Sequence, residues 1–288
     1  MQGDSMPRDI AQHLEEFKRE GLTIFANQLD EIVLDQWQSI FKKELEGNNN
    51  RTPAGNRHDT YQLIEKYPNF ALSFVSNTEV LDFLELLIGP FVSLEAMAFA
   101  ATYPTTPEDA IESIGWHRDM WASIGRTNDY LPPNAVNVLN YFPHIDPAHG
   151  AFRFIPGSHR KSIFVDAEMK RRPHPEEQLA YPKAGDTVFI HSGLLHSGTG
   201  NYSSEIRYFV SRFYAKCWYP RREQIDIPAI HTFIAEAELK RDRRLMRLFG
   251  KDDLLLPRAG RSGTQPEVEI WQKWIEEDRQ YKSTIDLE

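Results

Sequence analysis

The chain has 288 residues, 41% hydrophobic and 12% aromatic, enough to bury a sizeable core in one β-rich domain or two smaller ones. A formal net charge of −9 speaks against nucleic acid as a partner, since phosphate binding needs a basic footprint. One cysteine, Cys217, excludes an intrachain disulfide and reads as a packing residue. No run of about 18 apolar residues suggests a membrane span, and Met1–Ile10 lacks the apolar centre of a secretory signal, so the cytoplasm is the expected location.

Pro7 to Glu20 reads as an amphipathic helix, with Ile10, Leu14 and Phe17 at helical spacing and Gly21 as its stop. A short strand follows at Leu22–Ala26. Asp30–Glu46 reads as a second helix with Val33, Trp37, Ile40, Phe41 and Leu45 inward. Gly47-Asn48-Asn49-Asn50 then opens a polar loop to about Thr60. Thr78–Ile88 is a third helix, capped by Thr78, whose Leu81, Leu84, Leu87 and Ile88 belong to the core.

From Phe91 the pattern changes to strands. Phe91–Tyr103 carries Ala96, Ala98, Ala100 and Ala101, small enough either to border a cavity or to admit a close-packed helix. Further strands are expected near Gly115–Trp121, Ala135–Phe142, Ala151–Ile155, Thr187–His191 and Ile206–Cys217. Past residue 220, charge runs such as Lys240-Arg241-Asp242-Arg243-Arg244 and a helical stretch at Pro266–Tyr281 read as a solvated extension, with a lid or dimer contact as the alternative. Helices first and antiparallel strands later predict a mainly β, α+β chain built on a sandwich or jelly roll. The expected organisation is a single domain over 1–288, helical over about 8–90, stranded over 91–219 and extended by helices over 220–288.

The chemistry concentrates in His117-Arg118-Asp119, His196 and Arg207. Residues two apart on a strand face the same way, so His117 and Asp119 present an imidazole and a carboxylate together. A histidine from a distant strand, His196, completes a two-His, one-carboxylate set that leaves other metal positions open, as non-haem iron oxygenases require. Arg207 follows His196 by eleven positions, room for a turn and a return strand, and a guanidinium grips a carboxylate with two prongs. The surroundings add order: Gly150-Ala151-Phe152-Arg153-Phe154-Ile155-Pro156-Gly157-Ser158-His159, then Ala184-Gly185-Asp186, then His196-Ser197-Gly198-Thr199-Gly200-Asn201.

With these motifs the chain resembles the phytanoyl-CoA dioxygenase family of Fe(II)/2-oxoglutarate oxygenases over roughly residues 8–215. The resemblance implies a double-stranded β-helix, jelly-roll or cupin-like, with the N-terminal helices packed on one sheet. It implies His117, Asp119 and His196 as iron ligands and Arg207 as the grip on the far carboxylate of 2-oxoglutarate. Asn137 falls where relatives place a polar residue near that co-substrate. Thr199 is a further candidate, although Gly198 stands where some relatives have Ser. O2 would complete the set, with succinate and CO2 as products.

Rivals are weighed against this set. The second HxD, His144-Ile145-Asp146, sits in a turn-rich stretch with Pro147, and His159 belongs to the PGSH turn. His191 is the rival to His196, and Arg212 the rival to Arg207, on opposite strand parity. Arg118 points away from the metal, into a salt bridge of the wall. Substrate contacts are expected from Trp116, Trp121, Arg126, Tyr130 and Tyr103, with the loop Pro104–Gly115 and its Glu108, Asp109 and Glu112 as a cover. Lys170-Arg171-Arg172 is the one nearby basic run and acids follow it, so a small metabolite fits better than a CoA ester. The expected reaction is hydroxylation or another hydrogen-abstraction oxidation. Halogenation is not expected, because the resemblance implies that halogenases lack the carboxylate ligand. The alternatives are a cupin-like metal-binding protein without redox activity and a hydrolytic zinc enzyme.

Overall fold

A computed structural model describes residues 10–46, 57–106, 115–120, 129–259 and 266–283. Their elements are, in chain order, α1 (Ile10–Glu20), β1 (Leu22–Phe25), α2 (Glu31–Glu46), β2 (Arg57–Thr60), α3 (Leu63–Lys66), α4 (Pro68–Val75), α5 (Thr78–Ile88), β3 (Val92–Thr102), β4 (Ala135–Tyr141), β5 (Phe152–Phe154), β6 (Gln178–Ala180), β7 (Thr187–His191), β8 (His196–Gly198), β9 (Arg207–Lys216), α6 (Pro228–Leu239), α7 (Arg243–Leu248), α8 (Leu255–Ala259) and α9 (Glu267–Ser283). Six strands form one sheet in the order β1-β7-β4-β9-β3-β2, and three form another in the order β6-β5-β8. The chain divides into two compact units.

The first unit comprises 1–59, 100–133 and 137–210. Here α1 ends where Phe17 is wholly buried and Gly21 takes φ +85°, donating its N–H to the Phe17 carbonyl at 2.8 Å. A Cβ on Gly21 would lie 2.5 Å from His159 Nδ1, so both its conformation and its space demand glycine. Strand β1 then pairs antiparallel with β7 in the register Leu22↔Ile190 to Phe25↔Thr187. Antiparallel β5 holds β6 on one side and β8 on the other. Leu22, Leu139, Val188 and Ile190 of the large sheet meet Phe152 and Phe154 of the small one in a shared core. Trp37 and Phe41 of α2 pack on Phe142, with Phe41 also 4.7 Å from the Tyr208 ring.

The second unit comprises 60–99, 134–136 and 211–288. Its α5 is capped by Asn77, whose side chain accepts from the Val80 N–H, and not by Thr78, which is the first helical residue. The Trp271 indole of α9 lies against Gly89, where a Cβ would meet the ring at 2.7 Å. Arg247 is 1% exposed; it pairs with Asp252 and Asp278 and donates to the Pro90 carbonyl. Arg258 is buried on the same Asp278 at 2.9 Å. The charge-rich C-terminal region is thus only partly a solvated face: Arg247, Arg258 and Asp278 close on one another inside the unit, while Lys240, Arg241 and Lys273 stay exposed. Burial pushes the Cys217 thiol up to about 11, in keeping with a packing role.

Two further sequence expectations change. The segment 57–75, taken as loop and unassigned, holds β2, α3 and α4. Among the described residues, the strand expected at Gly115–Trp121 shrinks to a single bridge at His117.

Candidate metal centre

The bridge is what makes the site. His117 and His196 exchange both backbone hydrogen bonds at 3.0 Å, which sets two imidazoles distant in sequence side by side, 4.3 Å between ring centroids. Asp119 follows, and its Oδ1 lies 3.9 Å from Nε2 of His117 and 3.9 Å from Nε2 of His196. The three ligand atoms all lie within 4.8 Å of one another. Bonds of about 2.1 Å at right angles would set such atoms about 3 Å apart, so a small side-chain rotation closes them on an ion.

The imidazoles are set for a metal. His117 Nδ1 lies 2.9 Å from the Gly115 carbonyl and His196 Nδ1 lies 3.0 Å from that of Leu194. A carbonyl only accepts, so each Nδ1 carries the proton and each Nε2 keeps a lone pair turned to the third ligand. Loss of hydration, then the neighbouring His196, pulls His117 down to about 4, which keeps it neutral near pH 7. The Phe152 ring stacks on His196 at 5.3 Å and 22°, fixing its plane. Asn137 donates its amide to Asp119 Oδ2 at 3.3 Å.

Arg207 opens β9 and is buried. Nη1 donates to the carbonyls of His149 and Gly150, and Nη2 donates to the Thr199 carbonyl and, at 3.4 Å, the Thr102 hydroxyl. Among the described residues its Nε–H is buried without a partner, and it is the one guanidinium donor left to a carboxylate. Gly150, at φ +87°, makes room for this packing: a Cβ there would stand 2.7 Å from Arg207 Nη1 and 2.2 Å from the Gly200 carbonyl. Burial lowers the Arg207 pKa, with the Tyr141 hydroxyl opposing.

Other expected residues fall elsewhere. Thr199 donates its hydroxyl to the Ala151 carbonyl and bears the carbonyl that holds Arg207. Trp116, expected to meet substrate, is instead 4% exposed among Ile155 and Leu195, donating its indole N–H to the Arg172 carbonyl. Tyr130 stands 6.1 Å from the His159 ring and 6.3 Å from that of His191. Tyr103, half-buried, directly follows β3. Trp121, Arg126, Glu108, Asp109 and Glu112 lie outside the described residues.

The rivals are accounted for. His191 accepts at Nδ1 from the Gly193 N–H and turns Nε2 to the Leu131 carbonyl, so neither nitrogen is left for a metal. His159 faces the Lys18 carbonyl. In the second HxD, Asp146 accepts from the N–H groups of Ala148 and His149, and His144 accepts from Ala184 N–H. Arg212 donates to the Phe74 carbonyl and lies over the Phe74 ring. The buried Arg118 guanidinium donates to the carbonyls of Ser158, Gly193 and Lys161.

Two residues escaped the sequence reading. Tyr141 is buried in β4 and electrostatically joined to Arg207. Arg57 of β2 holds Asp59 through Nε and Nη2, and its charge acts on His117, Tyr141 and Arg207 alike. The parity of Tyr141 with Asn137 on β4 was a usable signal. Arg57 gave none, because its strand hides behind a polar run.

Comparison with known proteins bears on the family and the fold. The sequence model of the family described as Phytanoyl-CoA dioxygenase (PhyH) matches residues 17–209. No curated protein matches the chain in sequence. Among solved structures, the chain resembles HygX from Streptomyces hygroscopicus with nickel, 2-oxoglutarate and hygromycin B bound, at 15% identity and a TM-score of 0.60. The match covers 75% of this chain and 90% of that one. It also resembles the epimerase SnoN in complex with Fe3+, alpha ketoglutarate and nogalamycin RO, at 16% identity and a TM-score of 0.58, covering 77% of this chain and 91% of that one. These likenesses establish the fold: a cupin-like, mixed α+β architecture with a large antiparallel sheet and flanking helices, more helical among the described residues than the expected mainly β chain.

Proposed function

This chain belongs to the phytanoyl-CoA dioxygenase family and is an enzyme of dioxygenase type, and from that premise we propose that it uses Fe(II) and 2-oxoglutarate to oxidise a small-molecule metabolite by hydrogen abstraction. The observation that carries this reading is the convergence of His117, Asp119 and His196 within 4.8 Å, with both Nδ1 atoms tied to carbonyls. Three protein ligands on one side leave the remaining positions of an octahedral ion to co-substrate and oxygen. When bound, the iron centre supplies the oxidising chemistry, turning 2-oxoglutarate and O2 into succinate, CO2 and an oxidised substrate.

The protein's own work is positioning. His117 and His196 bring neutral nitrogen donors and Asp119 brings one negative charge, a set that suits a divalent cation. Arg207 offers its charge and its unpartnered Nε–H to the far carboxylate of 2-oxoglutarate, from a guanidinium that the surrounding carbonyls hold still. Asp119 fills the place a halide would need, which favours hydroxylation or a related oxidation over halogenation. HygX was crystallised with hygromycin B and SnoN with nogalamycin RO, which supports a small-molecule substrate for this chain too.

The test is succinate formation from 2-oxoglutarate with Fe(II) and ascorbate, read with a panel of metabolites. Wild-type protein is expected to turn over, and folded His196→Ala and Asp119→Ala to be inactive. Activity that survives His196→Ala but is lost in His191→Gln would move the distal ligand. Tight metal binding with no turnover for any metabolite would favour a binding protein without redox activity.

A further inference from the structure

The segment that carries Asp119 is not held by a strand. Between 115 and 120, His117 is bridged to His196 and the Met120 N–H donates to the Ser192 carbonyl, but no ladder runs through Asp119. A carboxylate on such a segment has two equivalent oxygens and a broad terminal torsion. It can swing, or turn both oxygens to one ion. Yet its oxygens are unlike here. Oδ1 stands 3.9 Å from both histidine Nε2 atoms, while Oδ2 accepts from the Asn137 amide at 3.3 Å. Asn137 is set on β4 between Val136 and Val138, both 0% exposed, so its amide stands on a rigid strand.

We propose that Asn137 is a positioning residue for Asp119: its amide holds Oδ2 so that Oδ1 alone is offered to the metal. The inference rests on the metal-centre reading above. It gives Asn137 a task different from contact with 2-oxoglutarate. An amide suits that task because it donates without adding charge to a site that must balance a dication and a dianion. A one-oxygen Asp119 also leaves one more coordination position open than a two-oxygen Asp119.

The test is Co(II) binding, followed by visible absorption and calorimetry in the absence of 2-oxoglutarate. Asn137→Ala and the near-isosteric Asn137→Leu are expected to weaken Co(II) about 10- to 100-fold and to shift the absorption band, with the melting temperature of the metal-free protein little changed. Asn137→Gln, which returns an amide on a longer arm, should recover part of the affinity. Unchanged Co(II) affinity and spectrum in both the Ala and Leu variants would overturn the inference. So would a defect that shows only when 2-oxoglutarate is added, which would return Asn137 to the co-substrate. His196→Ala is the control for the underlying reading: if it binds Co(II) like wild type, the metal centre itself is misplaced, whatever Asn137 does.

Discussion

The two units each bury an arginine, and they hold it in opposite ways. In the second unit Arg247 meets two carboxylates, Asp252 and Asp278. Burial alone would lower its pKa, but Asp278 and then Asp252 outweigh burial and raise it. In the first unit Arg207 meets, among the described residues, carbonyls and a hydroxyl, and burial lowers its pKa. A buried charge is costly unless paired. Arg247 has its counter-ions built in and serves the fold. Arg207 has a buried N–H without a partner among the described residues, and in the proposed function it is this group that meets an anion arriving from outside. Carbonyl packing alone does not mark a binding residue, since the buried Arg118 and Arg212 also donate to carbonyls; the built-in counter-ions of Arg247 do mark a structural one.

That contrast can be broken at either end. The largest effect is expected from Arg247→Met, which strands the buried side chain of Asp252 and leaves Asp278 to Arg258; it should cost about 3–5 kcal/mol of stability, read by denaturant unfolding. A loss below about 1 kcal/mol would mean the ion cluster is ornamental. Arg207→Ala should instead act on binding, weakening 2-oxoglutarate by about 1.5–3 kcal/mol, or roughly 10- to 150-fold, in calorimetry on metal-loaded protein. Arg207→Lys should recover only part, since an ammonium lacks the planar fork. If Arg212→Ala abolishes co-substrate binding and Arg207→Ala does not, the anion site lies on the other face of β9.

Titration sharpens the same comparison. In the first unit, loss of hydration holds His159 down to about 4 and His191 to about 3, against an ordinary 6.5. The unfolded chain takes up these protons first, so the stability they contribute is full above pH 6.5 and is lost as pH falls toward 4. The slope is roughly 1.4 kcal/mol per pH unit for each histidine. In the second unit, burial raises Glu85 to about 7, with Arg244 and Arg247 opposing. That contribution has the reverse sign: full below about pH 4.5, and lost as pH rises toward 7. Melting temperature should therefore fall with acidification from pH 6.5 to 4.5. Glu85→Gln should steepen the fall and His191→Gln should flatten it. A wild-type profile that rises on acidification would show that the histidines are protonated in the native state.

The smallest effect concerns Arg57, part-exposed and already paired with Asp59. Arg57→Gln should weaken 2-oxoglutarate by less than about 1 kcal/mol, and the difference should shrink in high salt. An effect as large as that of Arg207→Ala, insensitive to salt, would make Arg57 a direct ligand.

Much of this was legible in the chain itself. Helices at 10–20, 31–46 and 78–88 follow from apolar spacing, and β7 and β9 from β-branched and aromatic runs, because these periodicities reflect local burial. The order of His117, Asp119, His196 and Arg207 marked the chemistry, since metal and carboxylate recognition demand particular side chains. Tertiary structure decided the rest. The expected strand at 115–121 does not form among the described residues; His117 gains its place from one bridge to His196, a partner that local pattern cannot name. His191 and His196 look alike in sequence, and only the backbone groups around each ring show that one has both nitrogens used and the other keeps Nε2. The charges of the C-terminal region read as a solvated face, yet Arg247, Arg258 and Asp278 are buried together, because ion pairing across distant helices leaves no periodic trace. Residue type and spacing are local properties written in the chain; the partner of each polar atom is a property of the folded contact and appears only there.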